Sequence, residues 1–507
     1  MDYLIYPTEV FVNIWESYNV PAVIVTCLAL SIVPAFLSLK FFYDRALAAP
    51  SKGFPVFLFI LGVFFLVIVP FRGFDFTQDR IAREIAKNGP VSFFYSAYSH
   101  NLDYDAFYTT LSNQEAVKLA REAVLSPGEK FTDNEKCPVE RIVNSTGRPS
   151  RLNVMIFVME SFGSEFVGVL GANPSYTPRF DALSEKGLLF TNIYSIGNRT
   201  VRGLEGVLAG FPPLPTESLV KMKFSSSIRT LPEILKEKGY ENYFVYGGRG
   251  IFDNMKPFAL RYGFDFFIEQ KDFKNPSFKT IWGVADEDIF NMSLEKAKAA
   301  YLSGRPFFFL TLSVSNHKPY TYPAGRIPED PSKKKRSHAV KYSDWALGEF
   351  FARAQKEPFY RDTVFVIIAD HGARVYGSQE IPIKSYKIPL LIIAPGLKSG
   401  RSNVLGSSDD VPSTVMSLLC QTYKSPFFGK SLLIESKHRW VALNHNRSAG
   451  YYDGNTLVVL GLNKNNVFYE ESVSGLIRVP KNKNTEIKEK EAAGIFQTAW
   501  EIYRGGL

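Results

Sequence analysis

Three apolar runs in the 507-residue chain end directly on groups that bind metals. Glu160 follows LNVMIFVM (152–159), Asn316 and His317 follow FFFLTLSVS (307–315), and Asp370 and His371 follow TVFVIIA (363–369). Two further runs, NYFVYG (242–247) and IPLLIIA (388–394), end on Gly248 and Pro395. One Asp-His pair behind a strand reads equally well as a turn or a helix cap. Three coincident strand ends read better as a site, because open α/β sheets bind ligands beyond the carboxyl ends of their strands. Glu160, His317, Asp370 and His371 together make a metal and phosphate site, and mixed carboxylate and imidazole ligands suit Zn or Mn better than Ca.

A hydroxyl candidate comes from SIGNRTVRGLEGVLAGFPPLP (195–215), where a Gly-Asn-Arg turn feeds Thr200 into a helix-like stretch. At a helix start the unpaired N–H groups and the positive end of the dipole favour phosphate oxygens. The same position suits a plain N-cap, with Glu205 too far along for a capping box. A threonine hydroxyl is a poor nucleophile at neutral pH and needs metal coordination to act.

From Leu152 onward, short apolar runs alternate with helix-like segments, which predicts an α/β fold with a mostly parallel sheet covered by helices on both faces. Residues 436–507 read as a small C-terminal subdomain of short strands, ending in a helix from about Thr485 to Tyr503 and packed beside the site. A chain this long exceeds the roughly 250 to 300 residues one core supports, so a further part is expected. It lies at the N-terminus. The 46% hydrophobic residues and 43 Phe accompany a mean hydropathy near zero, so the apolar excess is local. Segments 21–43 and 55–71 each approach the roughly 17 to 25 apolar residues that cross a bilayer. They predict a two-span membrane anchor over 1–73, and a buried hairpin or cleaved signal peptide fits less well.

Lys40, Arg45 and Lys52 cluster around the loop between the spans, whereas Asp2, Glu9 and Glu16 precede the first. The positive-inside rule then leaves everything after about residue 74 outside the cytoplasm, although Arg72 and Arg80 weaken the asymmetry. Residues 74–150 predict an extracytoplasmic helical connector closed by a polar loop, SPGEKFTDNEKCPVERIVNSTGRPSR. The net charge of +9 has one dense run, Lys333, Lys334, Lys335 and Arg336. It reads as a solvated loop or as a contact for anionic lipid head groups. No basic repeat is interleaved with aromatics, so nucleic acid is not an expected partner. Of the three cysteines, Cys27 lies in the first span, and spacing does not decide whether Cys137 and Cys420 pair.

The motifs VMIFVMESFGSEFVG, TPRFDALSEKGLLFTNIYSIGNRTVRGLEGVLAGFPPLP, YGGRGIFDNMKPFALRYGFDFF, SNHKPY and FVIIADHG resemble, in order, those of the lipoteichoic acid synthase family. That family is a branch of the alkaline phosphatase and sulfatase superfamily, and the resemblance covers about residues 150–435. It implies a sulfatase-like catalytic domain over 151–435 in a bacterial cell envelope, anchored in the cytoplasmic membrane with its active site outside. It implies that Glu160, Thr200, Asp370 and His371 hold one divalent metal ion, manganese for preference with Mg or Zn as alternatives. Thr200 would be the nucleophile and His317 would contact the substrate's glycerol phosphate. The implied donor is a phosphatidylglycerol-like lipid, and the implied acceptor a glycan or polyglycerolphosphate chain.

One departure stands out. The family's substrate arginine follows Phe-Trp-Asn, whereas this chain reads FDNM (252–255), with Met255 in that place. Arg199, Arg249, Lys256 and Arg374 are the cations left to meet substrate. Phosphoethanolamine transfer and phosphatase or phosphodiester hydrolysis are the nearest alternatives. An inactive membrane-bound glycan or lipid receptor is the alternative of another class. The family commonly carries more spans than two, which implies further helices upstream.

Overall fold

The computed structural model describes residues 7–46, 57, 60–61, 79–86 and 103–505, apart from 146, 437 and 474. The second expected span, 55–71, lies almost wholly outside the described residues. The chain forms two compact units, Met1–Asn101 with Gly377–Gln379, and Leu102–Tyr376 with Glu380–Leu507.

In the first unit, helices Pro7–Ser17 and Val20–Ala46 follow one another, and the second contains the expected first span. Its apolar side chains face outward: Val25 is 65% exposed, Leu30 70% and Phe36 65%. Among the described residues no single helix is long and apolar enough to cross a membrane. The pair Val10–Ser17 and Val20–Pro34, bent by 84°, passes that test together.

The second unit is built on a nine-stranded sheet. Its strands are β1 (Asn153–Met159), β2 (Leu188–Tyr194), β3 (Glu241–Tyr246), β4 (Phe266–Ile268), β5 (Phe307–Leu312), β6 (Thr363–Ala369), β7 (Lys387–Ile393), β8 (Gly400–Ser402) and β9 (Gly406–Ser407). The order is β8-β2-β7-β6-β1-β5-β3-β4, with β9 also paired to β2. Every residue of β1, β5 and β6 is buried, as expected where both faces are covered and alternation is lost. On one face the Phe157 ring of β1 packs 5.5 Å from Phe290 and 4.7 Å from Phe350. Those rings belong to helices Asp286–Leu302 and Arg336–Ala354.

Strands β6, β1, β5, β3 and β4 run parallel. Strand β7 does not: it pairs antiparallel with β6 and with β2. This corrects the shared strand-end edge for Pro395, which falls at the opposite edge, while the Lys387 end of β7 comes to the site. The physical reason is the connection. Parallel neighbours need a crossover, usually a helix, and between β6 and β7 the chain forms only the short turn Ile383–Tyr386.

The connector is also revised. Helix Asn113–Val124 packs along the C-terminal helix Lys483–Arg504, where a Cβ on Gly494 would come within 2.9 Å of the Leu119 side chain. The expected polar loop contains Lys130–Phe131 and Arg141–Val143, which pair with each other, and Arg141–Val143 pairs on its other side with Tyr423–Ser425. Arg141 is 1% exposed and bonds Glu129 Oε2 at 2.7 Å and the Phe427 carbonyl at 2.7 Å. Leu102–Tyr376 and Glu380–Leu507 form one compact unit, with no boundary near residue 150. Cys137 and Cys420 are free thiols.

The C-terminal part is a five-stranded antiparallel meander from Val441 to Val479, then helix Lys483–Arg504 started by an Asn482 capping box. The meander touches the Thr200 turn: Asn444 N–H donates to the Ile196 carbonyl at 2.7 Å.

Candidate active site

Register sets the site. Strand β1 pairs with β6 so that Met159 lies opposite Ala369, and the next residues, Glu160 and Asp370, emerge side by side. The chain turns at once, with Ser161 at φ 48, a region few non-glycine residues enter without other support. That support is visible. Ser161 N–H donates to Asp370 Oδ1 at 2.7 Å and its hydroxyl to Glu160 Oε1 at 2.6 Å. Asn316 Nδ2 donates to the carbonyls of Glu160 and Ser161 at 3.1 and 3.0 Å, and Glu160 N–H to Ser313 Oγ at 2.8 Å.

Glu160, Asp370 and His371 are buried and present ligand atoms all within 4.8 Å of one another. Asp370 Oδ1 accepts from two backbone N–H groups, Ser161 and His371. Its Oδ2 is buried with no partner, although buried polar atoms are almost always satisfied. Burial works against the Glu160 charge, yet the His317 and His371 imidazoles and the Ser161 hydroxyl hold this carboxyl well below the usual range. Burial and then the Glu160 charge push Asp370 well above it. Burial lowers His371. Since a carbonyl only accepts, His371 Nδ1 must donate to Gly372 O at 2.7 Å. That fixes Nε2 as the lone-pair nitrogen, 3.8 Å from Glu160 Oε1 and 3.4 Å from Asp370 Oδ2. An unpartnered carboxylate oxygen, two acids that repel and an imidazole locked in the ligating tautomer fit a divalent cation.

Thr200 is not the N-cap. Arg199 takes that position, without a side-chain cap bond, and Thr200 is the first residue of helix Thr200–Ala209. Its hydroxyl donates to Glu160 Oε2 at 3.0 Å instead. The helix comes this close because residue 203 has no side chain: a Cβ there would lie 2.6 to 2.7 Å from the backbone and Cβ of Asp370. Glu205 accepts from Arg202 at 2.8 Å inside the protein.

His317 is half-buried, its Nε2 3.3 Å from Glu160 Oε2. Its ring stacks on Trp282, centroids 4.3 Å apart, and Trp282 Nε1 donates to the Lys318 carbonyl at 2.6 Å. Beneath this loop, Asp286 Oδ1 accepts from the N–H groups of Val314 and Ser315 at 2.8 and 3.0 Å, and its Oδ2 from Ser343 Oγ at 2.6 Å. The buried Asp286 thereby bolts the His317 loop to a helix start.

The cations read from sequence separate here. Arg199 is exposed, and its charge is felt at His371. Lys256 is committed to Glu269 at 2.6 Å. Arg249 and Arg374 are exposed, and Arg374 donates to the Tyr376 hydroxyl at 3.2 Å. Met255, 2% exposed, is a core residue at the start of helix Met255–Arg261, so nothing at that position faces a ligand. Sequence reading missed Trp282, Ser161, Gly203 and Asp286. Trp282 sits between two-residue strands Lys279–Thr280 and Gly283–Val284, too short to show a period. Ser161, one residue past Glu160 at the end of β1, lay in a legible place.

A mixed sheet of this topology with a metal-ready ring beyond its parallel strands defines an alkaline-phosphatase-like α/β protein. Residues 152–421 match the sulfatase family profile, and the chain belongs to that family. A solved protein of the alkaline phosphatase superfamily from Vibrio parahaemolyticus is 34% identical, with TM-score 0.74 over 80% of this chain and 100% of that one. The lipoteichoic acid synthase LtaP from Listeria monocytogenes has the same fold at 18% identity, TM-score 0.62, over 77% of this chain and 98% of that one. Phosphoglycerol transferase I of Salmonella typhimurium is 30% identical over 217 residues, 40% of this chain. The chain spans 28% of that relative's length.

Proposed function

We propose that this chain is a membrane-anchored phosphotransferase that moves glycerophosphate from a phosphatidylglycerol-like lipid to a glycan or polyglycerolphosphate acceptor, with Thr200 as nucleophile. The observation that carries the reading is the Thr200 hydroxyl, uncommitted to capping and 3.0 Å from Glu160, beside buried acids of which one oxygen has no partner. The head group rests on the likeness to phosphoglycerol transferase I. The anchor rests on the outward apolar side chains of helix Val20–Ala46, and the positive-inside pattern puts the catalytic part outside the cytoplasmic membrane.

Glu160, Thr200, Asp370 and His371 would hold one divalent cation, manganese for preference. When bound it would lower the hydroxyl's pKa and neutralise phosphate charge. In the reaction the Thr200 oxygen bonds to phosphorus as the bond to the diacylglycerol oxygen breaks. The hydroxyl proton passes to Glu160, which already accepts its hydrogen bond, and His317, held by Trp282 and the Asp286-bound loop, is placed to hold the glycerol phosphate or to give the leaving oxygen its proton. An acceptor hydroxyl then reverses the first step. The exposed Arg199 adds positive charge beside the reacting group.

The test uses phosphatidylglycerol with a fluorescent acyl chain and Mn. Wild type should release labelled diacylglycerol and Thr200→Ala should not; equal release by both removes Thr200 from the mechanism. The mass of an adduct trapped on Thr200 identifies the transferred group, and an ethanolamine phosphate adduct would replace glycerophosphate in the reading.

A further inference from the structure

The dense basic run does not end in solvent. Lys333, Lys334 and Lys335 are exposed, but Arg336, the first residue of helix Arg336–Ala354, is half-buried and turned inward. Its Nη1 donates to the carbonyl of Ala373, two residues past His371. Its guanidinium lies over the Tyr320 ring, 5.0 Å from the centroid. Its Nε is buried with no partner. Tyr320, three residues past His317, is itself held at φ 57, a conformation that surrounding structure must enforce.

A second guanidinium meets the same ring system. Arg374 donates to the Tyr376 hydroxyl at 3.2 Å, and the Tyr320 hydroxyl also lies against it. Consecutive Cα atoms are 3.8 Å apart, so Ala373 is within about 8 Å of His371 along the chain. Two positive groups thus flank Tyr320 between the loop of His317 and the loop of His371. Among the described residues neither guanidinium is in an ion pair. The acid that feels the Arg336 charge is Glu165, which accepts from Ala373 N–H at 3.3 Å, and burial pushes its carboxyl up despite that charge.

We propose that Arg336 and Arg374, organised around Tyr320, form a second anion subsite at the mouth of the active site, which binds a phosphodiester group of the substrates. This deepens the reading of the chain as a phosphotransferase and rests on it. An arginine fork holds phosphate oxygens through several charge-assisted bonds at once, whereas a lysine holds them as a point charge. Here one fork has a spare buried N–H and the other is exposed. The subsite supplies the charge that Met255, buried in the core, does not. The shared chemistry is the phosphodiester, carried either by the lipid donor's head group or by a phosphate-bearing acceptor.

Steady-state kinetics on the full chain with Mn separates these sources. Donor runs vary phosphatidylglycerol; acceptor runs compare a glycerol phosphate oligomer with a neutral glucan oligosaccharide. Arg336→Gln should raise KM for the phosphodiester-bearing partner about tenfold with kcat within about twofold, and Arg336→Lys should recover part of the loss. Arg374→Gln, at an exposed position, should raise the same KM and guards against misfolding of the first variant. A rise for phosphatidylglycerol assigns the donor. A rise for the glycerol phosphate oligomer but not for the glucan assigns the acceptor. Unchanged KM for all partners in both Gln variants, or a fall in kcat alone, overturns the subsite. If wild type releases no diacylglycerol, the transferase reading fails separately. Calorimetric binding of glycerophosphoglycerol to wild type and Arg336→Gln then decides the subsite alone, equal affinities overturning it.

Discussion

Among the described residues two neighbouring pairs of acids, Asp409 with Asp410 and Glu160 with Asp370, are buried and treated in opposite ways. Asp409 and Asp410, at the turn after β9, are surrounded by protein donors. Asp410 Oδ1 accepts from Lys430 N–H at 2.6 Å, its Oδ2 from Ser407 N–H at 3.0 Å, and Arg439 Nη1 lies 3.9 Å away. Asp409 Oδ1 accepts from the Ser407 hydroxyl. Burial still pushes both carboxyls up, but the countercharge is part of the chain. Glu160 and Asp370 have hydroxyls, backbone N–H groups and imidazoles around them, no arginine or lysine in contact among the described residues, and one oxygen left bare. The first pair has its countercharge built into the chain; the second lacks one and fits a cation from outside.

The largest expected effect breaks the comparison at its functional member. Asp370→Asn should lower diacylglycerol release by at least about 10³-fold and abolish Mn binding. Its unfolding free energy in metal-free buffer should stay level or rise, because an unpaired buried acid is removed. Asp410→Asn should do the reverse, losing about 3 to 5 kcal/mol in denaturant titration by stranding a buried charge while its Mn affinity by calorimetry stays that of wild type. If the two variants behave alike, the contrast fails.

The metal gives the next effect. At a concentration 100 times its Kd, Mn should stabilise wild type by about 2.7 kcal/mol. Asp410→Asn should gain as much and Asp370→Asn nothing, with a chelator reversing the gain in thermal melts.

The smallest effect is a slope with pH. Burial lowers the Lys430 ammonium to about 8 from 10.5. Between those values the unfolded chain binds more protons than the folded one, so this lysine makes unfolding free energy rise with pH across that window. Denaturant titrations of wild type and Lys430→Met at pH 8 and pH 10 should show this as a difference in unfolding free energy between the two proteins that shifts in favour of wild type as pH rises, because the buried tyrosines that burial pushes up act the other way in both alike.

Much of this was legible in the sequence because burial on both faces leaves a run of apolar residues that ends abruptly. LNVMIFVM and TVFVIIA mark β1 and β6, and the next residue in each case reaches the site. Strand direction was not legible from IPLLIIA, since a run reads the same in a parallel or an antiparallel pairing. Only the lack of a helix pattern over 372–382 hinted at it. Thr200 could not be told from a cap, because the distinction lies in where its hydroxyl points. Met255 aligned with a ligand position and proved to be core, and Arg336 was hidden in a run that looked solvated. In both cases the side chain's direction, invisible to spacing, decided the role.

The missing side chain at Gly203 makes the gap between the Thr200 helix and Asp370 a fixed clearance narrower than one methyl group. Gly203→Ala therefore acts as a feeler gauge for the catalytic geometry. It would wedge the Thr200 hydroxyl away from the acids without altering any charge. A drop in turnover larger than any loss of Mn affinity would measure how finely the proposed reaction depends on that spacing.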